Sequence, residues 1–304
     1  MQTDVASAAH LPVLADEVAF LLRPRRGGWI VDGTVGMGGH AERLLEVGAS
    51  ATRLFGVDQD PEALARAGVR LARFGDRVAL VRGSFRRLSA LAAEAGVAEA
   101  VSILLDLGLS SYQLDESGRG FSFLREEPLD MRFDPSTGRT AADLVNSAPA
   151  DVLARLLAEL GEERHARRIA RRIAERRRAA PLRSTADLVA AVKEAVPRAA
   201  WPARLHVATR TFQAVRMAVN DETGALADAL PQAASLLARG GRLGVISFHS
   251  GEDRIVKHSF RSLENAGSFV QLLRRPMEAG RDEVEHNPRA RSAKLRVLER
   301  QVAA

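Results

Sequence analysis

The chain has 304 residues, 46% of them hydrophobic, with a formal charge of +6 and a pI near 10.6. That is room for one large domain or a domain carrying an insertion. With no cysteine, disulfides, thiolate nucleophiles and cysteine-held zinc or iron–sulfur centres are excluded, and no apolar run approaches the ~18 residues of a membrane span.

In chain order, residues 1–10 are polar without a charged n-region, so no signal peptide is expected. Leu11, Leu14, Val18, Leu21 and Leu22 recur in the helical period and predict a helix over 11–22. A strand over 29–32 ends on Asp32, and four glycines crowd the next seven positions before a helix over 41–47. Strand, glycine loop and helix in that order make a nucleotide-type cofactor site, because the glycines let the backbone turn sharply and approach a ligand. Asp58 ends the next strand, 54–58, twenty residues beyond Gly38, where a carboxylate can accept hydrogen bonds from ribose hydroxyls. The loop lacks the Gly-Lys-Ser/Thr of a phosphate-binding loop and fits the dinucleotide spacing poorly. An acidic residue closing the first strand suits a cofactor with cationic groups, which favours S-adenosylmethionine over NAD.

Asp60 and Pro61 predict the N-cap and first residue of the next helix. A strand over 78–81, a helix over 88–95 and a strand over 101–105 ending in Asp106 continue the alternation of a doubly wound, mostly parallel sheet. The rhythm then stops for about a hundred residues. A loop over 107–138 is followed by a capping-box pattern at 140–143, helix over 151–178 with a break expected at Gly161, a helix over 186–196 capped by Ser184, and another over 209–219. The α/β pattern resumes with a helix over 225–238 interrupted near Pro231 and ended by Gly240-Gly241, a strand over 242–247, a helix over 252–263, and strands over 269–273 and 294–298. The expected organisation is a Rossmann-like α/β domain in two pieces, 1–110 and 218–304, with an inserted helical domain over 111–217 for RNA or substrate recognition.

Strand ends gather the candidate chemistry: the glycine loop, Asp58, 106–113 and 247–253. Asp106 is a candidate acceptor for an amine proton or a cofactor ligand; the alternatives are a loop cap and a buried salt bridge. Ser110 lies in the loop whose carbonyls share the acceptor role, and His249 is a candidate base or target contact, or a structural hydrogen-bonding residue. Glu252 and Asp253 suit a helix first turn. No zincin or EF-hand pattern is present, so no metal is expected. Basic residues are almost all arginine, and eight fall within 164–178. Arg167, Arg168, Arg171 and Arg172 there, with Arg289 and Arg291 in a second basic segment, are candidate contacts to RNA phosphates; a solvated helix face is the alternative. Tyr112 is the one tyrosine, which disfavours a broad base-stacking platform.

These motifs together resemble the RsmH (MraW) family, from His10 to Arg296: Asp32-Gly-Thr-Val-Gly-Met-Gly-Gly-His40, Asp106-Leu-Gly-Leu-Ser-Ser111, Gln113-Leu-Asp, Arg119-Gly-Phe-Ser-Phe123, Leu129-Asp-Met-Arg132, Phe212-Gln-Ala, Ser247-Phe-His-Ser250 and Asn287-Pro-Arg. The resemblance implies a cytoplasmic methyltransferase that uses S-adenosylmethionine to methylate N4 of a cytidine in the decoding region of 16S ribosomal RNA, in the small ribosomal subunit. It implies that Gly38, Gly39 and His40 contact the cofactor, that Asp58 binds its ribose, that Phe85 lies by the adenine, and that Asp106 and Gln113 complete the pocket. The sequence departs from the family pattern at Gly251, where leucine is usual, and at Asn220-Asp-Glu-Thr-Gly, where Asn-Asp-Glu-Leu is usual. The missing cysteine disfavours C5 methylation of a pyrimidine, and the missing Pro-Pro-aromatic loop disfavours DNA. The rival readings are a methyltransferase for another RNA amine or a small molecule, and a non-catalytic RNA-binding assembly factor. The sequence sets no oligomeric state and admits a homodimer.

Overall fold

The structure, a computed structural model, describes residues 12–24, 27–203 and 205–302. The chain divides into two compact units, Met1–Ser110 with Thr223–Ala304, and Ser111–Glu222.

In the first unit the described strands form one eight-stranded sheet in the order β3-β2-β1-β4-β5-β8-β6, with β7 also paired to β8. Strands β1 (Gly28–Asp32), β2 (Thr52–Asp58), β3 (Val78–Arg82), β4 (Ala100–Asp106) and β5 (Leu237–Ser247) are parallel. β8 (Lys294–Arg300) runs antiparallel to β5, and β6 (Phe269–Gln271) and β7 (Met277–Glu278) antiparallel to β8. Successive side chains of a strand point to opposite faces, and both faces are covered. Ile30, Leu54, Leu104 and Ile246 pack with α1 (Ala15–Leu22), α2 (Gly39–Val47) and α3 (Pro61–Leu71). Val31, Phe55, Ile103, Leu105 and Val245 pack with α4 (Leu88–Glu94) and with Leu226, Leu230, Val256 and Phe260 of later helices. Burial on two sides explains why these strands read as continuous apolar runs rather than alternating ones.

The second unit holds α5 (Ser111–Asp115), α6 (Ala141–Ser147), α7 (Ala150–Gly161), α8 (Ala166–Ala179), α9 (Thr185–Ala195) and α10 (Thr209–Asn220). α7 packs on α8 and α10, and α8 on α6 and α9. Thr140 with Asp143 and Ser184 with Asp187 form full capping boxes at α6 and α9, which satisfy the orphan amides of each first turn. The break expected at Gly161 is present: Glu162 turns into the left-handed region (φ 49°), and its carbonyl accepts the Arg210 guanidinium at 2.8 Å.

Four expectations are corrected. The helix α11 (Glu222–Leu236) passes through Pro231 without interruption, because Leu226, Ala229, Leu230 and Ala233 on its inner face are buried on either side of it. Gly240-Gly241 does not end that helix; it lies within β5, which starts at Leu237 instead of Arg242. There the pairing to β4 shifts register between Ala100 and Ser102, and a Cβ on Gly241 would meet the Ala238 and Ala100 carbonyl oxygens at 2.8 and 2.9 Å. The second unit ends at Glu222 rather than at 217, since α10 is continuous to Asn220 and Asn220 donates to the Met131 carbonyl at 2.8 Å. The first helix begins at Ala15; residue 11 lies outside the described residues. The short elements α5, β7 and α13 (Arg281–His286) carry too few residues for a periodic signal.

Gly161 lets α7 approach α10 until backbone meets backbone: a Cβ there would lie far inside van der Waals distance of the Arg210 carbonyl oxygen. Gly161→Ala should therefore destabilise the second unit by about 1–3 kcal/mol, the usual cost of overpacking. Trp201 belongs to this unit and Trp29 to the other. Denaturant unfolding followed by Trp201 fluorescence in a Trp29→Phe background checks it; an unchanged midpoint would refute the close-packing account.

Candidate cofactor site

The parallel order places the carboxyl ends of β1, β2 and β4 side by side, so Asp32, Asp58 and Asp106 end neighbouring strands. Between β1 and α2 the glycine loop is tied down by its own carboxylates. Asp32 Oδ1 accepts the Thr34 amide at 3.1 Å, and Asp58 Oδ2 accepts the Gly36 amide at 2.8 Å. The other oxygen of Asp58 accepts the Asp60 amide at 2.9 Å, and Asp60 caps α3 as its sequence position predicts. The loop amides also reach the strands: Gly33 donates to Leu104 and Val35 to Val57, each at 3.0 Å. Gly36 (φ 50°) and Gly38 (φ 83°) take left-handed conformations that a side chain would strain.

Asp106 is joined to this loop by Thr34, whose hydroxyl oxygen accepts the Asp106 amide at 2.6 Å. Sequence spacing does not single out Thr34. Its signal is an Asp-Gly-Thr turn, where the hydroxyl sits two residues after a buried carboxylate, but the bridge to β4 is a tertiary contact that spacing does not show. Beyond Asp106, Leu107 donates to Ile246 at 3.0 Å, and Gly108 leaves room for Phe248, whose ring a Cβ would meet at 2.8 Å. Ser110 closes this loop, half-buried.

The electrostatics of the carboxylates are set by burial. Asp32 is 1% exposed; loss of hydration raises its carboxyl from 3.8 to about 7, opposed chiefly by His40 and the Thr34 amide and reinforced by the charges of Asp106 and Asp58. Burial likewise pushes Asp58 up to about 6, against the pull of the Asp60 and Gly36 amides. His40, in the first turn of α2, is buried with Nε2 3.5 Å from Asp106 Oδ2. Both its ring nitrogens and Asp106 Oδ1 lack a hydrogen-bond partner. Buried polar atoms are nearly always satisfied, so this end of the site has the character of one completed by a polar ligand.

The remaining candidates separate. Phe85 follows β3 and lies beside Gly33, whose Cβ would come within 3.5 Å of the Phe85 Cβ. His249 caps α12 (Ser250–Asn265), its Nδ1 accepting the Glu252 amide at 3.4 Å, while Nε2 lies 3.0 Å from Glu252 Oε1 without hydrogen-bond alignment. Glu252, read from sequence only as a helix first-turn acid, also accepts the Phe248 amide at 2.8 Å. A Cβ at Gly251 would press on the His249 ring at 3.1 Å, so glycine leaves the imidazole room against the helix start. Asp253 pairs with Arg296 at 2.7 Å. Gln113 is buried in α5 of the second unit. On α8, Arg167, Arg168 and Arg171 are exposed, but Arg172 is engaged by Glu194 at 2.7 Å and Glu175 at 3.1 Å. Arg289 is half-buried and Arg291 exposed, both in the turn before β8.

A mostly parallel sheet with a glycine loop after β1 and acidic residues closing β1, β2 and β4 defines an α/β methyltransferase. The chain belongs to the MraW methylase family, whose model matches residues 7–301. Among its relatives, the "Ribosomal RNA small subunit methyltransferase H" of Heliobacterium modesticaldum is 48% identical over 307 residues, covering 96% of this chain and 98% of the relative. The proteins of that name from Geobacter sp. strain M21 and Geotalea daltonii are 47% and 49% identical, covering 96% and 97% of this chain and 98% and 100% of their own. No helix among the described residues is long and apolar enough to cross a membrane.

A carboxyl raised by burial binds a proton in the folded state that it would release unfolded, so it favours folding below the unfolded value and loses that contribution as pH rises through the folded one. For Asp32 the window runs from about 4 to about 7. Asp32→Asn, which keeps an acceptor for Thr34, should leave stability nearly unchanged at pH 4 and raise it by roughly 2–4 kcal/mol at pH 8, at about 1.4 kcal/mol per pH unit. Urea titrations of both proteins across this range check it; equal stability at pH 8 would show that Asp32 carries no burial penalty.

Proposed function

We propose that the protein transfers a methyl group from S-adenosylmethionine to the exocyclic N4 of a cytidine in the decoding region of 16S ribosomal RNA, within the small ribosomal subunit in the cytoplasm. The observation that carries this reading is the buried acidic rim of the loop. Asp32 and Asp58 are raised by desolvation, and a ligand with cationic groups relieves that penalty where a pyrophosphate would add to it. The names of the relatives supply ribosomal RNA of the small subunit as the target class.

The residues present fit S-adenosylmethionine, which supplies an electrophilic methyl group on a sulfonium. Gly38, Gly39 and His40 at the start of α2 would hold it, Asp58 has lone pairs left for ribose hydroxyls, and Phe85 offers a ring beside the loop; Gln113 is assigned by the family resemblance. The N4 lone pair of cytosine is delocalised, so the protein's task is to hold the amine in line and offer an acceptor to an N–H. Asp106, with one carboxylate oxygen unpartnered, suits that task, and the carbonyls of the loop to Ser110 are its alternative. His249 already caps α12, which favours a supporting role for it over that of a base.

The exposed arginines of α8 are the proposed contacts to RNA phosphates, with Arg289 and Arg291 as a second set. Arg172 drops out of the first rank because its guanidinium is committed to Glu194 and Glu175. Replacing Arg167, Arg168 and Arg171 by Gln should weaken RNA binding and flatten the salt dependence by up to ~0.7–0.9 per lost contact, while Arg172→Gln leaves the slope largely intact. An unchanged slope in the triple variant would make this face a solvated surface.

The reading itself is tested by mass spectrometry of small-subunit ribosomal RNA from a strain lacking this chain. Loss of one N4-methylated cytidine, restored by the wild-type chain and not by Asp58→Ala, is the expected result. Asp58→Ala should weaken cofactor binding by roughly 1.5–3 kcal/mol, the range for hydrogen bonds to a charged group. An unaltered cytidine would return the non-catalytic RNA-binding reading.

A further inference from the structure

The turn that follows β5 reaches the loop that follows β4. Phe248 stands one residue past Ser247, the last of β5, and is half-buried. The edge of its ring lies against Gly108. A Cβ there would meet Cε2 at 2.8 Å and Cζ at 3.0 Å, so any other residue at 108 would force the ring or the loop to move. The contact falls two residues past Asp106. The neighbouring strand ends hold the start of that loop: the Asp106 amide donates to the Thr34 hydroxyl oxygen at 2.6 Å, and the Leu107 amide to the Ile246 carbonyl at 3.0 Å. Phe248 carries that support one residue further.

Phe248 is itself held from behind. Its amide donates to Glu252 Oε2 at 2.8 Å, and Glu252 is 4% exposed. The Glu252 amide donates to His249 Nδ1 at 3.4 Å, and the Asp253 amide to the His249 carbonyl at 3.1 Å. Asp253 then accepts two hydrogen bonds from Arg296 of β8, at 2.7 and 3.2 Å, which tie the first turn of α12 to the sheet. A buried carboxylate thus fixes the backbone of the one residue whose ring edge fills the space at Gly108.

We propose that Phe248 is a positioning residue for methyl transfer: its ring edge, seated in the space that Gly108 leaves, fixes the course of residues 107–110 and with it the acceptor offered to the target amine. The inference rests on the methyltransferase reading. Glycine alone would leave this loop loose; the ring against it removes the freedom that the missing side chain gives. The acceptor groups, Asp106 and the loop carbonyls up to Ser110, serve only if the amine is held in line, and a misplacement of about 1 Å costs on the order of 100-fold in rate. In this role Phe248 acts on the loop and not on the methyl donor, so its loss slows the transfer and spares donor affinity.

Phe248→Leu, Gly108→Ala and the two combined, each in the full chain, test this. Leucine lacks the Cε2 and Cζ atoms that meet Gly108, and an alanine Cβ at 108 refills the space they vacate. Single-turnover methylation of small ribosomal subunits at saturating S-adenosylmethionine should slow about tenfold or more in each single variant, with donor affinity within about twofold of wild type. The combined variant should be at least about threefold faster than either single one, because contacting residues compensate where independent ones add. A wild-type rate in Phe248→Leu, a loss that arises from donor affinity, or a combined variant no faster than the single ones overturns the proposal. Hydrogen exchange of the amides of residues 107–110 in the donor-free protein reads the loop without activity. It should quicken by about tenfold in Phe248→Leu and return toward wild type in the combined variant; unchanged exchange in Phe248→Leu overturns the proposal. A wild-type chain that methylates no ribosomal RNA overturns the functional reading instead, and the exchange rates still decide whether the ring holds the loop.

Discussion

The site depends on carboxylates that are buried in order to shape a loop. Asp32 and Asp58 hold the amides of Thr34 and Gly36, and those bonds give a glycine-rich segment a single course between β1 and α2. The same burial strips the carboxylates of hydration and raises both. The loop therefore has a defined shape only at an electrostatic cost, and a ligand that brings positive charge to the strand ends lowers that cost. Shape and charge preference thus come from the same two residues. The parallel order of β2, β1 and β4 is what sets a third acid, Asp106, next to them.

In the inserted unit, arginine serves two purposes that composition does not distinguish. Arg177 donates to the Val145 and Ala148 carbonyls at 2.8 and 2.7 Å, satisfying backbone at the end of α6. Arg172 and Arg176 both pair with Glu194 and fasten α8 to α9. Ile169, Ala170 and Ile173 fill the buried stripe between them. Arg164, Arg167, Arg168 and Arg171 are exposed. Net charge therefore overstates the surface available to a polyanion, because much of the charge on α8 is already bound within the unit.

What could be read from the sequence had local causes. Asp60-Pro61 at the start of α3 and the capping boxes at Thr140 and Ser184 are contacts within four residues, and all three are present. The strand ends at Asp32, Asp58 and Asp106 were legible because buried apolar runs stop where a charge begins. The start of β5 was not, since Gly240-Gly241 reads as a helix stop and the register shift that places it inside a strand depends on the neighbouring β4. Pro231 misled for a similar reason: packing of α11 outweighs one lost backbone hydrogen bond. In the site, residue types were visible and pairings were not. Arg172 looks like its neighbours until Glu194, twenty-two positions away, is placed beside it, and Thr34 gains its role only when β4 lies against the loop.

On this account a cationic cofactor relieves the desolvated acids at the strand ends. Isothermal titration calorimetry of S-adenosylmethionine binding, run at pH 6.5 in buffers of different ionisation enthalpy, measures it directly. Binding should lower the Asp32 carboxyl from its raised value of about 7, releasing roughly three-quarters of a proton at this pH and almost none at pH 8.5, where the group is already ionised. Binding without proton release at pH 6.5, or binding of NAD in place of S-adenosylmethionine, would contradict the account.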